Sequence, residues 1–209
     1  MPAFLAARTL GCMAKAAALG FRLHTGWAAL VVLAGAPGRF EVLLRRRIEL
    51  LPSGDSIPRF IYHQAAELPP SEAAELVQRG EDASRQTAHL VVNEVLLHLR
   101  TPVLELKAAG IPSGSRPVPR DLSAVLRSHP LIHTAEAELF RRAITFACES
   151  CFLPVISGRE REVWPNVASA WGVKEAGLRK QIEELRTSVG APWGTDQKTA
   201  AAFALLALR

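Results

Sequence analysis

The chain has 209 residues, 49% hydrophobic and 22% charged, the balance of an ordinary globular domain able to bury a sizeable core. A formal net charge of +5 and a pI of about 9.6 admit nucleic acid or another polyanion as partner, and equally a solvated basic surface. Three cysteines, Cys12, Cys148 and Cys151, argue against a disulfide framework and fit a reducing cytoplasm, while no apolar run reaches the ~18 residues of a membrane helix.

Residues 1–14, MPAFLAARTLGCMA, precede the first strand pattern. Arg8, with Lys15 just beyond, breaks up their apolar character, so they read as a disordered extension rather than a secretory signal, with Met13 as an alternative start. Residues 15–209 are expected to form a single domain. The segment Leu19 to Leu50 predicts three consecutive strands. Ala16–Leu23 and Trp27–Ala34 flank the turn His24-Thr25-Gly26, and Phe40–Leu50 follows the turn signal Gly35-Ala36-Pro37-Gly38. Arg45, Arg46 and Arg47 interrupt the third strand, which suits a sheet edge; because strand side chains alternate, at most two of the three share a face.

Pro52 to Pro70 is a polar connection whose Phe60, Tyr62 and His63 suggest that it folds over the sheet. Ser71 is expected to cap a helix from Glu72 to Leu99, striped by Leu76, Ala83, Leu90, Val91, Val95 and Leu99. Val103 to Leu106 predicts a fourth, short strand, and the Gly/Ser/Pro-rich Ile111 to Arg120 a loop. A helical region from Asp121 to Cys151 is expected to break at His129-Pro130. Leu153 to Ser157 predicts a fifth strand and Val163 to Ser188 a helix. Gly190 to Gly194 ends that helix, and Thr195 or Asp196 caps a last one, Gln197 to Arg209, whose Ala/Leu content requires burial on most sides. The order is β-β-β-α-β-α-β-α-α, with the first, fourth and fifth strands parallel and covered by helices.

With these residues, that order resembles the ribonuclease-H-like superfamily, most closely its RuvC-type Holliday-junction resolvase branch. Two segments carry the resemblance: Thr25-Gly26-Trp27-Ala28, where the family has a Thr-Gly-aromatic-small turn opening its second strand, and Asp196-Gln197-Lys198-Thr199 leading into an Ala/Leu run, like the family's final helix. The resemblance implies an α/β fold with a five-stranded mixed sheet of order 3-2-1-4-5 and helices on both faces. It also implies acidic residues holding two divalent ions, magnesium or manganese, that activate water against a phosphodiester. The chain departs from that pattern. The first strand, Gly20-Phe21-Arg22-Leu23, has no carboxylate; Glu105 is the candidate at the end of the fourth strand; Asp196 is present, but Thr199 stands where a second acid belongs.

Set against that depleted site, His24, Glu105, Glu136, Glu138 and Asp196 are the candidate catalytic groups, and Asp196, Glu138 and His133 the candidate metal ligands. The competing reading makes Glu136 and Glu138 dipole-stabilising acids at a helix start capped by Thr134, and His129 and His133 turn and capping histidines. Arg22, Arg45, Arg47, Arg116 and Lys198 are the candidate contacts to nucleic-acid phosphates. Cys148-Glu149-Ser150-Cys151 falls at a helix C-terminus, the wrong end for a reactive thiolate, and reads as structural. Trp164, Trp171 and Trp193 read as packing anchors. The expected function is a nucleic-acid-associated protein with an eroded two-metal site. The alternatives are a metal-dependent hydrolase with a rearranged His/Glu/Asp cluster and a non-catalytic interaction scaffold; a homo-oligomer is compatible with each.

Overall fold

The opening apolar runs, set off by two turns, build three antiparallel strands, β1 (Lys15–His24), β2 (Trp27–Ala34) and β3 (Glu41–Glu49). The structure, a computed structural model, describes residues 14–54, 56–114 and 116–209; the expectation for the N-terminal extension lies, save for Ala14, outside them. β4 (Leu104–Pro112) and β5 (Val155–Gly158) join parallel to β1 and to each other, giving the sheet order β3-β2-β1-β4-β5. The fold class and strand order are those the sequence predicts.

One face of the sheet, carrying Leu19, Phe21, Leu30, Val32 and Ile48, is covered by α2 (Pro70–Leu99) and α4 (His129–Ser150). The short helices α1 (Ile61–Ala65) and α3 (Leu122–Leu126) pack beside them. The other face, carrying Ala29, Val31 and Leu33, is covered by α8 (Thr195–Leu208) and, outside it, by α5 (Val163–Trp171) and α6 (Glu175–Glu184). A single 3-10 turn, Glu160–Glu162, and the short α7 (Arg186–Val189) complete the connections. Being enclosed by sheet and helices, α8 buries Ala200 through Leu205 completely, as its all-round apolar composition requires.

The sheet and α8 meet backbone to backbone. A Cβ added at Gly20 of β1 would lie 1.9 Å from the Ala200 carbonyl oxygen, and one at Gly110 of β4 would lie 1.9 Å from that of Phe203. The two glycines are register partners on adjacent strands, so together they form a smooth track for the helix.

Several expected boundaries move. β4 runs on to Pro112 instead of ending at Leu106, because Gly110 serves close packing and does not terminate the strand. The helical break comes at Arg127–Ser128, and His129 and Pro130 open α4, Pro being suited to a first helical turn. Thr134 therefore lies inside α4, its hydroxyl donating to the Pro130 carbonyl at 2.8 Å, and does not cap. α2 starts at Pro70 behind Pro69, so Ser71 is not its cap. The Val163–Ser188 helix is divided at Gly172, which takes a left-handed conformation (φ 64°) after α5.

If the glycine track holds α8, Gly20→Ala or Gly110→Ala will cost at least about 3 kcal/mol of stability in urea unfolding, since the obstructing atoms are backbone. A loss under about 1 kcal/mol would show that α8 is not tightly seated.

Candidate functional site

Two residues beyond Gly20, at the carboxyl end of β1, Arg22 emerges on the α8 face. One turn before Ala200, Asp196 occupies the first turn of α8, where a carboxylate is favoured by the helix dipole. The two form an ion pair. The same guanidinium reaches Glu160, in the 3-10 turn after β5, at 3.2 Å. Arg22 thus bridges two carboxylates, with only 22% of its side chain exposed.

Asp196 also accepts a hydrogen bond from His24 Nε2 at 3.0 Å. The His24 ring stacks on Trp27, its register partner across the hairpin, with centroids 4.1 Å apart and planes 5° from parallel. The Arg47 guanidinium carbon lies 3.8 Å from the Trp27 ring centroid, and Arg47 Nε donates to Glu49 at 2.8 Å. A continuous band therefore crosses the carboxyl end of β1 from β3 to α8 and the 3-10 turn: Glu49, Arg47, Trp27, His24, Asp196, Arg22, Glu160. Beside it, Arg59 Nε donates to the Thr25 carbonyl at 2.8 Å and fixes the hairpin turn. A shallow depression lined by Ser113, Arg159, Glu160 and Arg161 lies at the ends of β4 and β5.

The structure brings His24, Arg22, Arg47 and Asp196 together, and leaves the remaining candidates apart. Glu105 stands at the start of β4, opposite Ala16, roughly 26 Å along the strand direction from His24; it pairs with Lys107 at 2.6 Å. Glu136 lies in the opposite helical layer. It is 3% exposed and accepts from the Ile61 and Tyr62 backbone N–H groups at 2.9 and 3.0 Å, closing the N-terminus of α1. Glu138 is near the carboxyl end of β4 but is held by Arg141 and Arg142. His133 stands with His63 and His129, away from Asp196. The rearranged His/Glu/Asp cluster is therefore not assembled.

Of the expected phosphate contacts, Arg45 is tied to the carbonyls of Gly190, Ala191 and Pro192 and Lys198 to Glu183. Arg47 and Arg116 remain exposed. Sequence reasoning missed Glu160 and Trp27. Glu160 lies in a charged run with no periodicity; Trp27 could have been found from its place directly across the turn from His24.

Cys148, Cys151 and the three other tryptophans are structural. Burial pushes the Cys148 thiol up to about 12, and neither cysteine is in a disulfide. Trp171 and Trp193 donate to the carbonyls of Leu205 and Ile182 at 3.1 and 2.7 Å, and Trp164 carries Arg179 4.5 Å above its ring.

These features define an α/β protein of ribonuclease-H-like, RuvC-type fold, with an ionic band at the carboxyl ends of its central strands. In solved structures the same fold is found in Thermus thermophilus RuvC, with a TM-score of 0.51 and 14% identity over 90% of this chain and 91% of that one. It is found again in T. thermophilus RuvC in complex with a Holliday junction substrate, with a TM-score of 0.51 and 15% identity over 90% of each chain. No family model and no curated protein matches the sequence.

Two measurements check this description. Glu136→Ala should cost about 2–3 kcal/mol in chemical denaturation, because it leaves two buried N–H groups unpaired; an unchanged midpoint would contradict its capping role. In a Cys12→Ser background, a thiol reagent should modify Cys151 in the folded protein and reach Cys148 only on unfolding. Equal rates at both positions would contradict the burial of Cys148.

Proposed function

We propose that this protein binds nucleic acid at the carboxyl end of its central strands without cleaving it, its two-metal site having been replaced by an internal cation. The observation that carries the reading is Arg22 seated between Asp196 and Glu160. Magnesium and manganese take oxygen ligands, and a pair of them needs several carboxylates. Here Asp196 and Glu160 share one guanidinium, Glu138 is held by Arg141 and Arg142, Thr199 offers no charge, and His24 engages Asp196 from the other side. The residues present do not fit that pair of ions, and no step is assigned to them.

Nucleic acid as partner is supported by the net charge of +5 and by the likeness in fold to a protein captured with a Holliday junction. Exposed arginines also border the band. Arg159 and Arg161 have side chains 57% and 75% exposed and pair only at 3.5 and 3.2 Å with Glu162. Such surface pairs contribute little and exchange readily for phosphate oxygens. Arg47, within the band, is exposed as well.

A second reading, an interaction scaffold, has one observation in its favour: Phe152 is 96% exposed, with Phe146 at 46% on the preceding helix. Phe152→Ser would leave DNA binding intact and reduce any self-association seen by sedimentation.

The test is fluorescence anisotropy with four-way-junction, duplex and single-stranded DNA from 50 to 200 mM salt, on the order of the range over which phosphate contacts weaken steeply. Binding is expected with a log–log salt slope of about −0.9 per phosphate neutralised. Arg47→Glu and Arg116→Glu should each weaken it at least about tenfold, and incubation with magnesium or manganese should give no cleavage. No binding at about 50 mM salt, or binding that does not change with salt, would remove nucleic acid as the partner. Metal-dependent cleavage abolished by Asp196→Asn would refute the silent site.

A further inference from the structure

In the helical layer opposite the ionic band, three histidines converge from two elements distant in sequence. His63 belongs to α1; His129 and His133 open α4, four residues apart, and so share one face of that helix. A ring nitrogen from each lies within 4.8 Å of the other two. The ring centroids of His63 and His133 are 4.7 Å apart and those of His129 and His133 4.5 Å, all edge to face.

Glu136 supplies an independent indication of what the cluster is for. The same carboxylate that closes the N-terminus of α1 meets His63 Nδ1 at 3.1 Å. Glu136 also accepts from Ile61 and Tyr62, so it faces His63 as an acceptor: in the neutral ring Nδ1 would donate to it and Nε2 would be the ligand atom. A buried carboxylate behind a histidine is the arrangement that fixes the tautomer and raises the basicity of a metal-ligating imidazole. Glu136 is 3% exposed, whereas His129 and His133 are exposed; the cluster therefore has a rigid back wall and an open front.

Three neutral imidazoles without an oxygen ligand select a borderline divalent ion of the zinc class and disfavour magnesium and manganese. Around a tetrahedral zinc with Zn–N bonds of about 2.0–2.1 Å, ligand nitrogens lie ~3.4 Å apart. The three nitrogens already lie within 4.8 Å of one another, and the two rings on α4 are exposed and free of packing on their outer side. We propose that His63, His129 and His133 form a binding site for one divalent transition-metal ion, in which Glu136 orients His63 and the ion pins the five-residue α1 to α4. The proposal is independent of the nucleic-acid reading, since no residue is shared.

The experiment uses the tag-free full chain, stripped with chelator and titrated with zinc by calorimetry, with cobalt absorption as a second readout. One equivalent should bind, cobalt should give the intense visible bands of a tetrahedral site, and zinc should raise the melting temperature. His129→Ala and His133→Ala, both at exposed positions, should each weaken binding by at least about tenfold and abolish the thermal shift. His98→Ala, exposed near the end of α2, should bind as the unaltered chain does. Failure of the unaltered chain to bind a stoichiometric ion would overturn the proposal. So would equal binding by the His129 and His133 variants.

Discussion

Everything at the carboxyl end of the sheet depends on how closely α8 approaches it. With no side chain at Gly20 or Gly110, the helix backbone rests on the strands and not on a layer of side chains. The consequence is a matter of step lengths. From Ala200 back to Asp196 is four residues of helix, about 6 Å; from Gly20 on to Arg22 is two residues of strand, roughly 6.6 Å. Because α8 runs antiparallel to β1, those steps deliver the Asp196 carboxylate to the Arg22 guanidinium. A helix held farther out by an ordinary side-chain layer would place Asp196 beyond reach of both Arg22 and His24.

An arginine in that position changes what the site can hold. Arg22 is permanently charged, with one end on Asp196 and another on Glu160; on the proposed reading it occupies carboxylates that a divalent ion would need. Adding a divalent ion about 4 Å from the guanidinium would cost about 8 kcal/mol at an effective dielectric constant near 20, twice the unit-charge value. The histidine stacked on Trp27 then serves to hold Asp196 from the other side, and the band behaves as one ordered ledge.

The sequence made the broad architecture legible because its signals are local. Short apolar runs set off by turn signals marked the three opening strands, and the Ala/Leu content of the last helix marked one buried on most sides. Local signals also misled. Gly110 and Pro112 read as loop because nothing near them in sequence reveals that α8 lies above. α1 is too short, at five residues, to show a period. Placing the helical break at His129-Pro130 hid the four-residue spacing of His129 and His133, which a helix beginning at His129 would have exposed. The pair Arg22–Asp196 joins residues 174 apart, and no local pattern predicts a contact across that separation. Asp196 is legible from its helix, whereas the sequence offers Arg22 only as a phosphate contact on a strand without a carboxylate.

The central claim is that Arg22 stands where a metal ion would otherwise sit, and manganese paramagnetism tests it most directly. Amide signals of an isotopically labelled chain are followed during titration with manganese. The account predicts that Leu23, His24, Asp196 and Gln197 keep their intensities as fully as residues in the buried core of β2. Selective loss of those signals at low manganese, with the rest of the sheet unaffected, would place an ion on Asp196 and contradict it.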